Sequence, residues 1–379
     1  MIDLALRFLG RATACWFLVG ASSVFAQLGG PPPVQSPELT SGGDVILRLR
    51  APEAESVRLT SGGDIPGLNP GVGADLSKDA EGIWTITLES LRPGAFRYNF
   101  NVDGVSTLDP SNPLTSESRG NSWSLYHVPG HAFMDTQRIV HGAVSEVTYW
   151  SETFGQHRRM HVYTPPGYEI DRGRYPVFYL LHGAGDSDDS WSTVGRAGFI
   201  VDNLIAAGDA VPMIVVMPDG HPPEQGGGPG GMQIAEFAVE FAADIKPYIE
   251  SHYRVRDGRE DTAIAGLSMG GAHTLEISMN DLADYGYIGV YSSGVFGITD
   301  SDDWVEERAA VLNDASLRDG LEYFWFAIGD EDFLLDTAVA SVDMFRDHGF
   351  DVVYHESGGG HTWMNWREYL NDFSQVIFK

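Results

Sequence analysis

Cysteine is all but missing: Cys15 is the single one in 379 residues, and it sits within the apolar N-terminal stretch. Beyond that stretch, disulfides, thiol catalysis and cysteine-based zinc are excluded. Positive charge is also scarce. Lys78, Lys246 and Lys379 are the only lysines, and 24 Lys and Arg against 53 Asp and Glu leave a formal charge of −29. A surface so acidic repels polyphosphates, which excludes nucleic acid as a partner. After residue 26 no apolar run is long enough to span a bilayer, and no internal repeat is visible.

The N-terminal 26 residues carry Arg7 and Arg11, an apolar run from Ala12 to Phe25, and Val24-Phe25-Ala26 ahead of Gln27. A charged start, an apolar middle and small residues at the cleavage positions describe a secretory signal. The mature chain is expected to be secreted or periplasmic, to begin after Ala26, and to carry about −30, because removing two arginines and Asp3 takes away one net positive charge. Residues 27–39, rich in glycine and proline, read as a flexible leader.

Short strand-like runs then recur between turn signals: 44–49, 56–59, 83–88 and 96–102. Such spacing predicts an all-β sandwich. Gly82-Ile83-Trp84, Leu91-Arg92-Pro93-Gly94, Tyr98 to Gly104 and Leu108-Asp109-Pro110-Ser111-Asn112-Pro113 resemble the immunoglobulin-like early-set domain, related to glycogen-binding modules, that precedes many secreted esterases. The resemblance covers residues 40–130. It implies a carbohydrate-binding role or a brace for a following domain, with Trp84, Trp123 and Tyr126 as sugar-stacking or core residues. A connector at 131–144 leads to a different pattern over 145–379, where strands at 177–181, 213–217, 262–265, 288–291, 324–328 and 352–355 alternate with helical stretches. That alternation predicts a mostly parallel sheet covered by helices on both faces, with active residues at the carboxyl ends of its strands.

Chemistry concentrates around Gly266-Leu267-Ser268-Met269-Gly270-Gly271, between a short apolar strand and a helix opening. In that context Gly-x-Ser-x-Gly forms a nucleophile elbow presenting Ser268. A serine needs a base, and the base needs an acid to hold its tautomer. His361, among the glycines of 358–360, is the candidate base. Of the nearby acids, Asp330 comes too early after its strand and Asp336 is expected to cap the next helix, which leaves Glu331 and Asp332. Backbone N–H groups of Met269 and of Ala184, in His182-Gly183-Ala184-Gly185, are the candidate oxyanion donors. His355, Glu356 and His361 match no helical zinc spacing, so neither a metal nor another cofactor is expected.

Val162-Tyr163-Thr164-Pro165-Pro166-Gly167-Tyr168, Leu181-His182-Gly183, Gly266 to Gly271, Gly329-x-x-Asp332 and Gly360-His361-Thr362-Trp363 together resemble the esterase D superfamily, and more narrowly carbohydrate esterase family 1, with its feruloyl and acetyl xylan esterases. The resemblance spans 145–379. It implies an α/β-hydrolase fold, Ser268 as nucleophile, Asp332 as acid, His361 as base, and an ester-substituted polysaccharide or oligosaccharide as substrate. Feruloyl release from xylan is the activity it favours. Acetyl xylan esterase, acyltransferase and siderophore esterase activities use the same triad and stay open, as does an inactive carbohydrate-binding protein. Trp191, His221 and Trp363 are the candidate substrate-binding residues, Trp366 a further aromatic, and the glycine-rich run 222–231 a loop long enough to overhang the site. Oligomeric state is not legible.

Overall fold

The computed structural model describes residues 33–68, 71–223 and 232–379. The proposed signal, the first part of the leader and most of the glycine-rich run after Pro223 lie outside the described residues.

In the first part of the described chain, a four-stranded sheet holds Val45–Arg50 against Ile83–Leu88, and a six-stranded sheet holds Val57–Ser61, Gly94–Val102, Asn121–Val128 and Thr115–Ser118 in that order. Period-2 alternation explains the packing. Val45, Leu47 and Leu49 from one sheet meet Val57, Leu59, Phe96, Tyr98 and Phe100 from the other in one core. Trp84 belongs to that core, with its Nε1–H donating to the Ala51 carbonyl, so it is not a free sugar platform. The expected leader is partly built in: Glu38–Leu39 pairs with the first long strand, and Ser36 Oγ donates to Asp109 at 2.6 Å. The hairpin of Thr115–Ser118 and Asn121–Val128 goes unread in the sequence, where serines and asparagines dilute its apolar pattern.

The second part is built on an eight-stranded sheet. Its order is Ala143–Ser151, Gln156–Thr164, Ile214–Pro218, Val177–Leu181, Thr262–Leu267, Tyr287–Tyr291, Tyr323–Gly329, Val352–Ser357. The first two strands are antiparallel to their neighbours and the rest are parallel. This is the α/β-hydrolase arrangement.

Along Val177–Leu181 every residue is buried, because both faces are covered. Tyr179 and Leu181 pack with Phe237, Phe241, Leu275 and Phe345 on one side. Phe178 and Leu180 pack with Ile200, Leu204, Leu370 and Phe373 on the other. The long helical stretch after residue 233 is interrupted by a π-turn at Phe241–Ile245 between Ile234–Glu240 and Lys246–His252. Short helices at Asp303–Glu307, Ala309–Leu312 and Ala315–Arg318 carry too few turns to show a period in sequence.

The two parts are packed together. Ala95 and Leu125 of the sandwich lie in the same apolar cluster as Trp191, Trp363 and Leu370. The connector is also fixed: Asn203 Nδ2 donates to the carbonyls of Phe133 and Asp135, and Arg196 donates to that of Met134.

Candidate active site

Ser268 follows the strand Thr262–Leu267 and opens the helix Met269–Asn280 with φ 53° and ψ −119°. That left-handed conformation is strained for a residue with a Cβ. It is held from three sides: the Ser268 N–H donates to the Tyr291 carbonyl at 2.9 Å, and the Ser268 carbonyl accepts from Gly271 N–H at 2.9 Å and from Ser293 Oγ at 2.6 Å. The glycines are steric requirements. A Cβ on Gly266 would lie 2.3 Å from the Gly270 carbonyl oxygen, and one on Gly270 would lie 2.5 Å from that of Leu181 and 2.6 Å from that of His182.

His361 precedes the last helix, Trp363–Ser374, and its Nδ1 lies 3.0 Å from both Asp332 oxygens. Asp332 follows the strand Tyr323–Gly329, is 5% exposed, and also accepts from Leu334 N–H at 2.9 Å. Burial works to raise its pKa, but the bonds from His361 and Leu334 and the nearby imidazole hold it below the ordinary carboxylate value. Asp330 has a different task. It accepts from Gly359 N–H at 2.9 Å and ties down the loop that carries His361. Asp336 does not cap its helix: the helix is Leu335–Asp347, the cap position is Leu334, and Asp336 lies within the first turn. The chain turns into the helix two residues sooner than expected, with Asp332 itself receiving the Leu334 N–H.

The loop after Val177–Leu181 comes close to the serine. A Cβ on Gly183 would sit 3.4 Å from Ser268 Cβ and 2.7 Å from Leu267. The Gly183 carbonyl is drawn inward, accepting from Asp186 N–H at 3.1 Å and lying 2.9 Å from His182 Nδ1. His182 Nε2 accepts from Gly220 N–H at 2.9 Å, which leaves Nδ1 as the protonated nitrogen. In a planar trans peptide C=O and N–H point opposite ways. The Ala184 N–H is therefore directed away from the loop interior, and Ala184 is exposed at the cavity. Met269, first residue of its helix, is buried beside the serine, and its N–H is the other candidate donor.

Ser268, His361 and Ala184 line one cavity of about 440 Å³, within the range of small-molecule sites. Trp363 and Trp366 line it too, although both are largely buried. Trp191 does not form a cleft wall. It is 1% exposed, its Nε1–H donates to the Leu181 carbonyl at 3.0 Å, and its ring meets Trp363 edge-on at 5.0 Å. His221 is not among the lining residues either; its Nε2 lies 3.1 Å from the Asp186 carbonyl, beneath the loop. Burial and the neighbouring His182 push its pKa down to about 4. His355 stands exposed on the edge strand, its ring stacked near Trp325.

Several lining residues escape a motif reading. Phe333, next to Asp332, is 75% exposed and its ring lies 4.5 Å from the His361 ring. Gly62, Gly63, Asp64, Arg97, Ser118 and Trp123 come from the sandwich, which forms one wall of the cavity. An exposed aromatic directly after the acid is the local signal that would have found Phe333. Trp123, expected to stack on sugar or to pack the core, lines this cavity because the sandwich reaches this far.

The family described as "Putative esterase" matches residues 151–376. An endo-1,4-beta-xylanase/feruloyl esterase of Xylanibacter ruminicola is 31% identical over 357 residues, covering 92% of this chain and 46% of the relative. The chain spans less than half the length of the first curated relatives it matches. A ferulic acid esterase of the anaerobic fungus Anaeromyces mucronatus superposes with a TM-score of 0.58 at 25% identity, over 66% of this chain and 96% of that one. The enterobactin esterase of Shigella flexneri shares the fold alone, at 17% identity, with a TM-score of 0.61 over 88% of this chain and 92% of that one. With more than half of its length matched, the chain belongs to this esterase family of carboxylic ester hydrolases.

Proposed function

We propose that the protein is an exported serine esterase that releases aromatic acyl groups, feruloyl above all, from plant cell-wall xylan through an acyl-enzyme. The observation that carries this is the single cavity shared by the strained Ser268, the Asp332-bound His361 and the Ala184 N–H. His361 takes the Ser268 proton as Oγ attacks the ester carbonyl, and Asp332 holds the imidazole tautomer and balances the charge it gains. The oxyanion is met by the N–H groups of Ala184 and Met269, each worth about 3 kcal/mol by analogy with other such donors. His361 then returns the proton to the departing sugar oxygen. Water repeats the sequence on the acyl-enzyme and frees the acid.

Trp123, Phe333, Trp363 and Trp366 around the cavity suit a planar aromatic acyl group better than an acetyl group. Relatives named as feruloyl esterases support the same choice. Export rests on the N-terminal pattern ending at Ala26. A sugar-binding role for the immunoglobulin-like part is weaker, since Trp123 faces the catalytic cavity and Trp84 packs the core.

A hydrolysis panel of methyl ferulate, acetylated xylan, the siderophore enterobactin and a short-chain nitrophenyl ester tests the assignment, with Ser268→Ala as the control. Methyl ferulate should give the highest kcat/KM, and Ser268→Ala should abolish all turnover and all labelling by an organophosphate. Preference for acetylated xylan or for the siderophore would overturn the aromatic-acyl reading, and a Ser268→Ala variant that still turns over would overturn the site itself.

A further inference from the structure

Arg97 lies on the sandwich strand Gly94–Val102, on the face opposite Phe96 and Tyr98, where alternation would place it in water. It is instead 5% exposed. Its Nε donates to Asp64 at 2.7 Å, within the sandwich, and its Nη1 donates to Asp186 at 2.8 Å, in the other part of the chain. Asp186 ends the loop Gly183-Ala184-Gly185-Asp186, and its own N–H holds the Gly183 carbonyl inward. The same loop receives a second bond from the sandwich, from Arg119 N–H to the Gly185 carbonyl at 3.2 Å. Arg97 also lines the cavity, with its guanidinium 5.8 Å from the Trp363 ring centre.

We propose that Arg97 is a positioning residue for the esterase reaction, reaching across from the sandwich to hold Asp186 and thereby aim the Ala184 N–H at the oxyanion. The inference rests on the proposed site at Ser268. A guanidinium binding two carboxylates fixes both ends of its fork, which a lysine cannot reproduce. Burial opposes the charge, yet Asp186 and Asp64 hold its pKa above the ordinary arginine value, so the latch stays ionised throughout the working pH range. An oxyanion donor contributes only when it is aimed before the charge develops. In this way the sandwich takes part in catalysis without binding polysaccharide.

The test compares Arg97→Met, Arg97→Lys, Asp186→Ala and the double variant Arg97→Met/Asp186→Ala in the full chain, assayed with a short-chain nitrophenyl ester well below each variant's Tm. Arg97→Met and Asp186→Ala should each lower kcat about tenfold to a hundredfold, the loss expected when a positioned group drifts by an ångström or less, while KM stays within about threefold. Arg97→Lys should recover part of the loss, and the double variant should be no worse than the poorer single one. A kcat within about twofold of the parent in Arg97→Met, or losses that multiply in the double variant, would overturn the latch. If Arg97→Met does not fold, Asp186→Ala decides on the same kcat and KM criteria, and a kcat in it within about twofold of the parent overturns the latch. Ser268→Ala separates the two readings: a dead Ser268→Ala beside an unimpaired Arg97→Met refutes the latch alone, and an active Ser268→Ala refutes the site.

Discussion

Replacing Asp332 by asparagine changes one atom and should cost about 10⁴ in kcat, by analogy with triad carboxylate losses elsewhere. The carboxylate accepts from His361 Nδ1 with both oxygens at 3.0 Å, and from Leu334 N–H with Oδ1. Asparagine can keep the Leu334 bond through its carbonyl oxygen. Its NH₂ group then faces Nδ1 and can only donate, so the imidazole must carry its proton on Nε2, where the serine proton has to go. A factor of 10⁴ is about 5.4 kcal/mol of transition-state stabilisation, at about 1.36 kcal/mol per decade. Steady-state kcat on methyl ferulate, with a melting curve to show that the fold survives, measures it. Asp330→Asn is the informative comparison, because Asp330 braces Gly359 and the amide can still accept that N–H. It should stay within about tenfold of the parent, since a neutral acceptor replaces a charged one at a bond remote from the reacting atoms. An Asp332→Asn enzyme within tenfold of the parent, beside a dead Asp330→Asn, would refute the assignment by two residues.

Two further outcomes follow from the geometry. Gly270→Ala puts a Cβ within 2.6 Å of two backbone carbonyl oxygens that cannot move away, so it should destabilise by at least about 1–3 kcal/mol and push the loop at His182 outward; thermal unfolding and kcat should fall together, and an unchanged Tm would contradict the packing. The second concerns acid. His127 is held down to about 4 by burial and by Arg196, against about 6.5 when unfolded. The unfolded chain therefore binds the extra proton, so this contribution to stability is whole above about pH 6.5 and is lost as pH falls towards 4. Tm should drop across that window, and His127→Gln should flatten the slope. An identical slope in the variant would remove His127 from the account.

The parts of the site that were legible share one property: their function depends on neighbours within a few residues. Gly266 and Gly270 flank Ser268 because the turn admits no Cβ there, and the wish for a small residue on each side is written in the local string. The same holds for His182-Gly183 and for Gly360-His361. Buried parallel strands were legible because both faces are covered, which turns Val177–Leu181 into an unbroken apolar run. Choosing between Glu331 and Asp332 was harder. Both follow the strand by a few residues, and the family pattern Gly-x-x-Asp decided between them. Trp191 was misread because an indole near an active-site loop looks the same in sequence whether its N–H faces a ligand or, as here, the Leu181 carbonyl.

The wall that the sandwich lends to the cavity is of another kind, and its illegibility has a physical cause. Arg97 and Asp186 are 89 residues apart, and nothing in either local pattern requires the other. Phe96, Tyr98 and Phe100 announce a half-buried strand with its polar face in water, which is what period-2 alternation means for an isolated sheet. The second part of the chain covers Arg97 on that face, and Asn99 beside it is buried too, so both are polar residues that must be satisfied. Asn99 is satisfied inside the sandwich, by Ser124 N–H and the Ser122 carbonyl. Arg97 is satisfied only across the seam and within Asp64's loop together. A buried charge whose partners belong to both parts of the chain ties their positions to each other, because separating them would strand an arginine between two carboxylates. The oxyanion loop hangs from that tie. Its aim is thus a property of how the two parts pack, and a residue outside the matched family region governs it.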